Sequence, residues 1–262
     1  EFTLQGPVLQ FHSDALIALT GADCQATLDG EAVALWQPVS VKAGQTLALG
    51  RAQVGCRAYL AVRNGLDVPE YLGSRSTFAL GQFGGHAGRT LKVADLLPIS
   101  RPELTACTTP APVSEPKALS SALIPTYGEV WRIGVLYGPH GAPDFFTQES
   151  IDEFFASDWQ VHYNSNRLGV RLVGPKPSWT RPNGGEAGLH PSNVHDCEYA
   201  IGAINFTGDF PVILTCDGPS LGGFVCPVTI AKAELWKVGQ VKPGDTIRFY
   251  PISVADAVAR EK

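Results

Sequence analysis

The chain has 262 residues, of which 44% are hydrophobic and only 17% charged, with a net charge of −5. That composition is enough to bury a real core and excludes disorder and coiled coil, while the acidic balance argues against a nucleic-acid footprint. With Gly 28 and Pro 20 set against so few charges, it predicts short strands and many turns, a mainly β chain.

From the N-terminus, the chain carries no methionine and begins with Glu1. A piece cut from a longer polypeptide is therefore expected, with no functional weight on its first residues. β-rich runs follow at residues 15–20, 25–28, 39–41, 46–49 and 57–62. The run Ala15-Leu16-Ile17-Ala18-Leu19 is stopped by Thr20-Gly21, no apolar run reaches membrane-spanning length, and no signal-peptide pattern opens the chain. Asp29-Gly30 and Asn64-Gly65 are hairpin signals, because both positions of such a turn favour positive φ. Helical pattern is scarce; the best candidate is 147–155, with Thr147 as the cap. Six cysteines (Cys24, Cys56, Cys107, Cys197, Cys216 and Cys226) form no Cys-x-x-Cys or Cys-x-x-His pair. A zinc ribbon or thioredoxin-type site is thus unsupported, and free thiols in a reducing, cytoplasmic setting are expected.

A proline-rich stretch at 101–121 reads as an extended linker between a unit at 1–100 and a unit at 122–262. The flanking sequences follow a shared order. Leu80-Gly81-Gln82-Phe83-Gly84-Gly85, Leu91-Lys92-Val93-Ala94-Asp95 and Leu97-Pro98-Ile99-Ser100 are matched by Leu221-Gly222-Gly223-Phe224, Val241-Lys242-Pro243-Gly244-Asp245 and Tyr250-Pro251-Ile252-Ser253. This order points to an internal duplication of two β units.

The segment from Asp158 to Gly223 is where chemistry is expected. Alternation at 169–173 predicts a strand, and polar residues sit on Gly/Pro-stiffened loops at 164–166, 174–177, 183–188, 190–196 and 215–223. Singly, such Asn, Ser, Asp and Gly residues are explained by turn chemistry; as a group they point to a site. His190, His195 and Asp196 do not suggest a metal centre, because His-x4-His on a loop lacks further ligands at useful spacing. No Gly-x-Ser-x-Gly elbow presents a nucleophile. The glycine-rich run 81–89 lacks both P-loop and dinucleotide spacing, so it reads as a tight turn against a ligand or a neighbouring backbone.

Tyr71-Leu72-Gly73-Ser74-Arg75-Ser76-Thr77-Phe78, running into Gly81-Gln82-Phe83-Gly84-Gly85-His86-Ala87-Gly88-Arg89, resembles the allophanate-hydrolase-subunit-2-like family of biotin-dependent carboxyltransferase domains. Val161-His162-Tyr163-Asn164-Ser165-Asn166-Arg167, Gly174-Pro175-Lys176-Pro177, His190-Pro191-Ser192-Asn193-Val194-His195-Asp196 and Asp217-Gly218-Pro219-Ser220-Leu221-Gly222-Gly223-Phe224 are similar to its urea carboxylase branch. The likeness extends over nearly the whole chain, and the resemblance implies a further segment ahead of Leu4-Gln5-Gly6-Pro7 that this piece is expected to lack. The resemblance implies two cyclophilin-like β-barrel units arising by duplication. It implies a subunit-1-like partner and a biotin carboxyl carrier bearing carboxybiotin, loaded by a separate biotin carboxylase component with ATP and bicarbonate. The carboxyl group then passes to a urea nitrogen, giving allophanate. Nucleic acid, membrane and metal are not among the expected partners.

On that resemblance Lys176, held between two prolines, is expected at the carboxylate or the ureido oxygen, with Arg167 and Arg171 as alternatives. Tyr163 or His190 would relay the proton removed from urea. Asn193, Ser192, Asp196 and Arg167 would bind the substrate, Asn193 matching an amide with one donor and one acceptor. Amides at Gly222 and Gly223, beside Ser220, would face the biotin oxyanion. Tyr163, Lys176 and Asn193 are expected to converge on one pocket. Four other readings stay open. A guanidine carboxylase would share nearly every motif and would want an acidic partner for its substrate. An oxoprolinase-type relative would not be expected to carry His190-Pro191-Ser192-Asn193. A regulatory binder would have no transfer activity. A generic barrel for lipophilic ligands would line its cavity without Lys or Asn.

Overall fold

The computed structural model describes residues 1–100 and 117–261; most of the expected linker therefore lies outside the described residues. The chain is mainly β and divides into two compact units, Glu1–Arg51 with Ala58–Pro125, and Ala52–Arg57 with Thr126–Lys262.

The first unit is built on β1 (Phe2–Thr3), β2 (Val8–Gln10), β3 (Ala15–Asp23), β4 (Thr27–Leu28), β5 (Glu31–Ala32), β6 (Pro38–Val41), β7 (Thr46–Ala48), β8 (Val54–Val62, of which residues 54–57 are counted with the second unit), β9 (Thr77–Phe78) and β10 (Phe83–Gly84). They form two four-stranded sheets, β1-β8-β3-β6 and β2-β7-β4-β5, and a two-stranded β9–β10 ribbon. Alternation in β3 buries Ile17 and Leu19, as the sequence predicts. Where the sequence predicts a strand from 25, the chain instead turns: Gln25 takes a φ of 48° and gives its N–H to Asp23 Oδ1 at 2.8 Å, so pairing begins only at Thr27. Asp29 and Gly30, both at positive φ, close the β4–β5 hairpin with Leu28 opposite Glu31. Asn64-Gly65 makes the same positive-φ pair but closes no hairpin, because Leu66 bridges to Ile99 instead.

The Lys-x-x-Asp turn noted in the sequence has one geometry at both places. The Lys92 N–H donates to Asp95 Oδ2 at 2.7 Å and the Lys242 N–H to Asp245 Oδ2 at 3.0 Å. A third copy, which the sequence pattern does not reveal, joins β6 to β7: the Lys42 N–H donates to Gln45 Oε1 at 2.8 Å. The third residue of each turn, Gly44, Ala94 or Gly244, lies at positive φ. Val41 to Thr46 is thus a closer counterpart of Val241 to Thr246 than the stretch at 92–95 is.

The second unit contains β11 (Val130–Tyr137), α1 (Gln148–Ala156), β12 (Trp159–Val161), β13 (Gly169–Val173), β14 (Asn193–Glu198), β15 (Ala203–Thr207), β16 (Phe210–Leu214), β17 (Leu221–Phe224), β18 (Val228–Ile230), α2 (Leu235–Val238), β19 (Thr246–Pro251) and α3 (Val254–Ala259). Seven strands close into a barrel in the order β11-β18-β15-β16-β13-β12-β19, and β14 pairs with β17 beside it. Ile133, Leu172, Ile204, Ile213 and Ile247, each fully buried, fill the core. Helix α1 begins where expected, with the Ser150 N–H donating to Thr147 Oγ1 at 3.3 Å, and stacks Phe154 on Phe249 with ring centroids 5.0 Å apart. Buried Asp245 accepts from the Trp131 indole N–H at 2.9 Å and from Lys242 Nζ at 2.8 Å, which ties a turn to the barrel wall. Among the described residues no helix is long and apolar enough to cross a membrane.

Candidate functional site

β13 and β16 are antiparallel neighbours, with Gly169 opposite Leu214 and Arg171 opposite Val212. The chain leaving β13 therefore comes out beside the turn entering β16. The first carries Lys176 and Trp179; the second is the Thr207-Gly208-Asp209-Phe210 hairpin. Gly174 is required at the exit, since a Cβ there would come within 2.5 Å of the buried Trp159 ring. Ser178 then docks on α1, its N–H donating to Ser150 Oγ at 2.6 Å. Trp179 lies over Phe146 with centroids 4.5 Å apart, and its indole N–H donates to Asp209 Oδ1 at 3.2 Å.

A third loop completes the cluster. Arg181 donates to the Pro191 carbonyl through Nε at 2.9 Å and through Nη2 at 2.6 Å, also reaches the Asn193 carbonyl, and stacks over Phe145 at 4.6 Å. Burial lowers the Arg181 pKa, and burial together with the nearby Arg181 charge lowers that of His140. The stapled loop turns His190 edge-on to Trp179 and sets its Nε2 3.5 Å from Asp209 Oδ1, while Lys176 Nζ stands 3.5 Å from Oδ2. Lys176 is 75% exposed, so its ion pair contributes about 0–1 kcal/mol to stability. Its cation is available to a ligand instead. One carboxylate thus faces an ammonium, an imidazole and an indole N–H at the open end of the barrel. The crevice beneath Pro175 and Pro177 holds about 10 Å³, room for a single water at most.

A second feature adjoins the cluster. An open groove of about 510 Å³ runs along the β14–β17 pair, lined by Glu186, Asn193, His195, Asp196, Gly223 and Phe224 among others. The pairing of these strands is irregular between Asn193 and Cys197. Ser192 lies between cluster and groove, fully buried.

The placements sort the expected residues. Lys176 and His190 meet at Asp209; Asn193, Asp196 and Gly223 line the groove. Ser192, expected to bind substrate, is 0% exposed and so is not presented to a ligand directly. Gly222 lies opposite Cys197 and its Cα packs on the Tyr199 ring, where a Cβ would come within 2.5 Å; Ser220 gives its carbonyl to the Tyr199 N–H at 2.9 Å. Both hold the β14–β17 pair together rather than line the groove. Tyr163 and Arg167 are a correction: neither joins the cluster. Tyr163 is 81% exposed with its ring tilted against His162, and Arg167 pairs with Asp217 at 2.5 Å. They stand at the other end of β13, whose five residues span about 16 Å. Arg171 faces the Phe210 ring at 6.0 Å. Sequence reasoning misses Asp209, Trp179 and Arg181. Asp209 reads as an ordinary hairpin residue, and the only signal for it is its position across the sheet from Lys176. Among the described residues no group of three or more His, Cys, Asp and Glu is arranged to hold a metal ion.

A closed barrel whose strand-end loops gather a cation, an imidazole and a carboxylate is a loop-built candidate site. By the description "Carboxyltransferase domain, subdomain A and B", which matches residues 1–251, the chain belongs to the carboxyltransferase-domain family. It is 58% identical over 255 residues to urea amidolyase of Lachancea kluyveri, covering 97% of this chain and 14% of that protein. It is 34% identical over 259 residues to a 5-oxoprolinase subunit, from Escherichia coli, covering 98% of this chain and 76% of that protein. The crystal structure of Kluyveromyces lactis urea carboxylase matches at 57% identity with a TM-score of 0.93, covering 98% of this chain and 23% of that one. The chain thus spans about a seventh of the urea amidolyase it resembles.

Proposed function

We propose that the chain is part of the carboxyltransferase of a biotin-dependent urea carboxylase, and that urea receives its carboxyl group at Asp209 in the second unit. The observation that carries this is the Asp209 carboxylate faced by Lys176 Nζ, His190 Nε2 and Trp179 Nε1. Urea is planar, with N–H donors that need a carboxylate and an oxygen that needs a donor. Asp209 would hold one amide edge, and its oxygen would take the proton the acceptor nitrogen gives up. Lys176 would balance negative charge on the donor carboxyl and on the oxygen left behind. Trp179 and Phe146 would form an apolar wall that limits water.

The donor set of Lys176 and His190, with the groove beside it, suits an anionic ureido ligand. Biotin, when bound, supplies an activated carboxyl group. Asn193 and Gly223 would hold its ring in the groove, which falls within the size range of small-ligand sites. The parent polypeptide would provide the subunit-1-like part, carrier and biotin carboxylase, the last using ATP and bicarbonate, in the cytoplasm.

One observation favours a second reading. Asp209 is the acidic partner that a guanidinium would require. Lys176 already balances that charge, which favours neutral urea. Turnover of urea and guanidine by the intact parent polypeptide, side by side, separates the two. For the site itself, Lys176→Ala in that polypeptide is expected to lower carboxyl transfer while ATP-dependent biotin loading continues. Loss of both steps, or of neither, would remove Lys176 from the mechanism.

A further inference from the structure

Ser192 has an environment that substrate binding does not explain. Its Oγ accepts the N–H of Gly208, next to Asp209, at 3.2 Å, and lies 2.9 Å from His190 Nδ1 and 3.5 Å from Asn193 Oδ1. The Ser192 backbone N–H donates to the same Nδ1 at 3.1 Å. A ring nitrogen that accepts a backbone N–H carries no proton, so neutral His190 keeps its hydrogen on Nε2, facing Asp209. With Gly208 on one lone pair, the serine hydroxyl directs its hydrogen between Asn193 Oδ1 and the single Nδ1 lone pair, which it shares with the backbone N–H. Ser192 itself is 0% exposed, so its hydroxyl is shielded from solvent.

We propose that Ser192 is a positioning residue. Its buried hydroxyl pins the loop carrying His190 to the turn carrying Asp209, while its backbone N–H fixes His190 as the Nε2–H tautomer. His190 is then a donor toward the reacting groups and not the base that takes the proton from urea; that task falls to Asp209. This rests on the proposed transfer site.

The test is a double-mutant cycle in the intact parent polypeptide, reading carboxyl transfer to urea with biotin loading as the control. Ser192→Ala is expected to lower kcat roughly tenfold when His190 is present, and less than about twofold in the His190→Ala background. Equal losses in both backgrounds would overturn the positioning role while leaving the site intact. A His190→Ala polypeptide that transfers at the parent rate would overturn the site reading itself. Should Ser192→Ala fail to fold, 15N NMR of the unsubstituted polypeptide decides: a pyridine-type shift at His190 Nδ1 and a pyrrole-type shift at Nε2 are expected, and the reverse assignment overturns the proposal.

Discussion

Lys176 and Asp209 face each other across 3.5 Å although one sits on the coil leaving a strand and the other on a hairpin entering its neighbour. The antiparallel register of β13 and β16 brings them together, and it sends Arg167 to the opposite rim with Asp217. Register therefore decides which polar loops make a site: Pro177 and Asp209 share an end, and Tyr163 and Pro177 do not.

Tyr163→Phe follows directly from that separation. The substitution removes a hydroxyl from an exposed ring at the far end of the strand. Carboxyl transfer by the parent polypeptide is expected to stay within about twofold of the unsubstituted rate. A loss of a hundredfold or more would place Tyr163 in the chemistry and contradict the geometry.

Arg181→Ala strips the staple from two loop carbonyls, Pro191 and Asn193. Half-buried carbonyls left without a charged donor cost about 1–3 kcal/mol. A lowered thermal midpoint is expected, together with slower transfer as His190 loses its fixed direction. Arg181→Lys is expected to recover only part of the loss, because an ammonium lacks the fork that spans both carbonyls.

Glu234 sets a pH dependence. Burial pushes its carboxyl up, but Lys237 at 2.5 Å, the Gly134 N–H at 3.2 Å and Arg260 at 3.0 Å outweigh this and hold it below the usual carboxylate range. With the folded value below the unfolded one, the unfolded chain binds the extra proton. The stabilisation is then complete above the ordinary glutamate range and is lost as pH falls through the folded value. Thermal midpoints measured from neutral to acid pH should show a steeper acid limb for the unsubstituted protein than for Glu234→Gln.

Features set by near neighbours in sequence were legible. Helix α1 with its Thr147 cap, strand β13 and the Asp29-Gly30 hairpin all follow from local pattern and turn chemistry. The Lys176 and His190 loops were legible as polar residues on stiffened turns. Asp209 was hidden because aspartate after glycine in a hairpin has a sufficient backbone reason to be there. Tyr163 groups with Lys176 in sequence because both flank the same strand, yet a strand keeps its two flanks apart. Ser192 sits in the expected motif, but its 0% exposure comes from packing around it that no single loop reveals.

The most direct test is Asp209→Asn in the intact parent polypeptide, with a labelled carboxyl group loaded on biotin and its passage to urea followed. The amide keeps the shape of the side chain and removes its charge and its capacity to take a proton. A loss of about a hundredfold or more in transfer is expected, with loading of biotin unchanged. Transfer at the unsubstituted rate would contradict the assignment of this carboxylate as the place where urea gives up its proton.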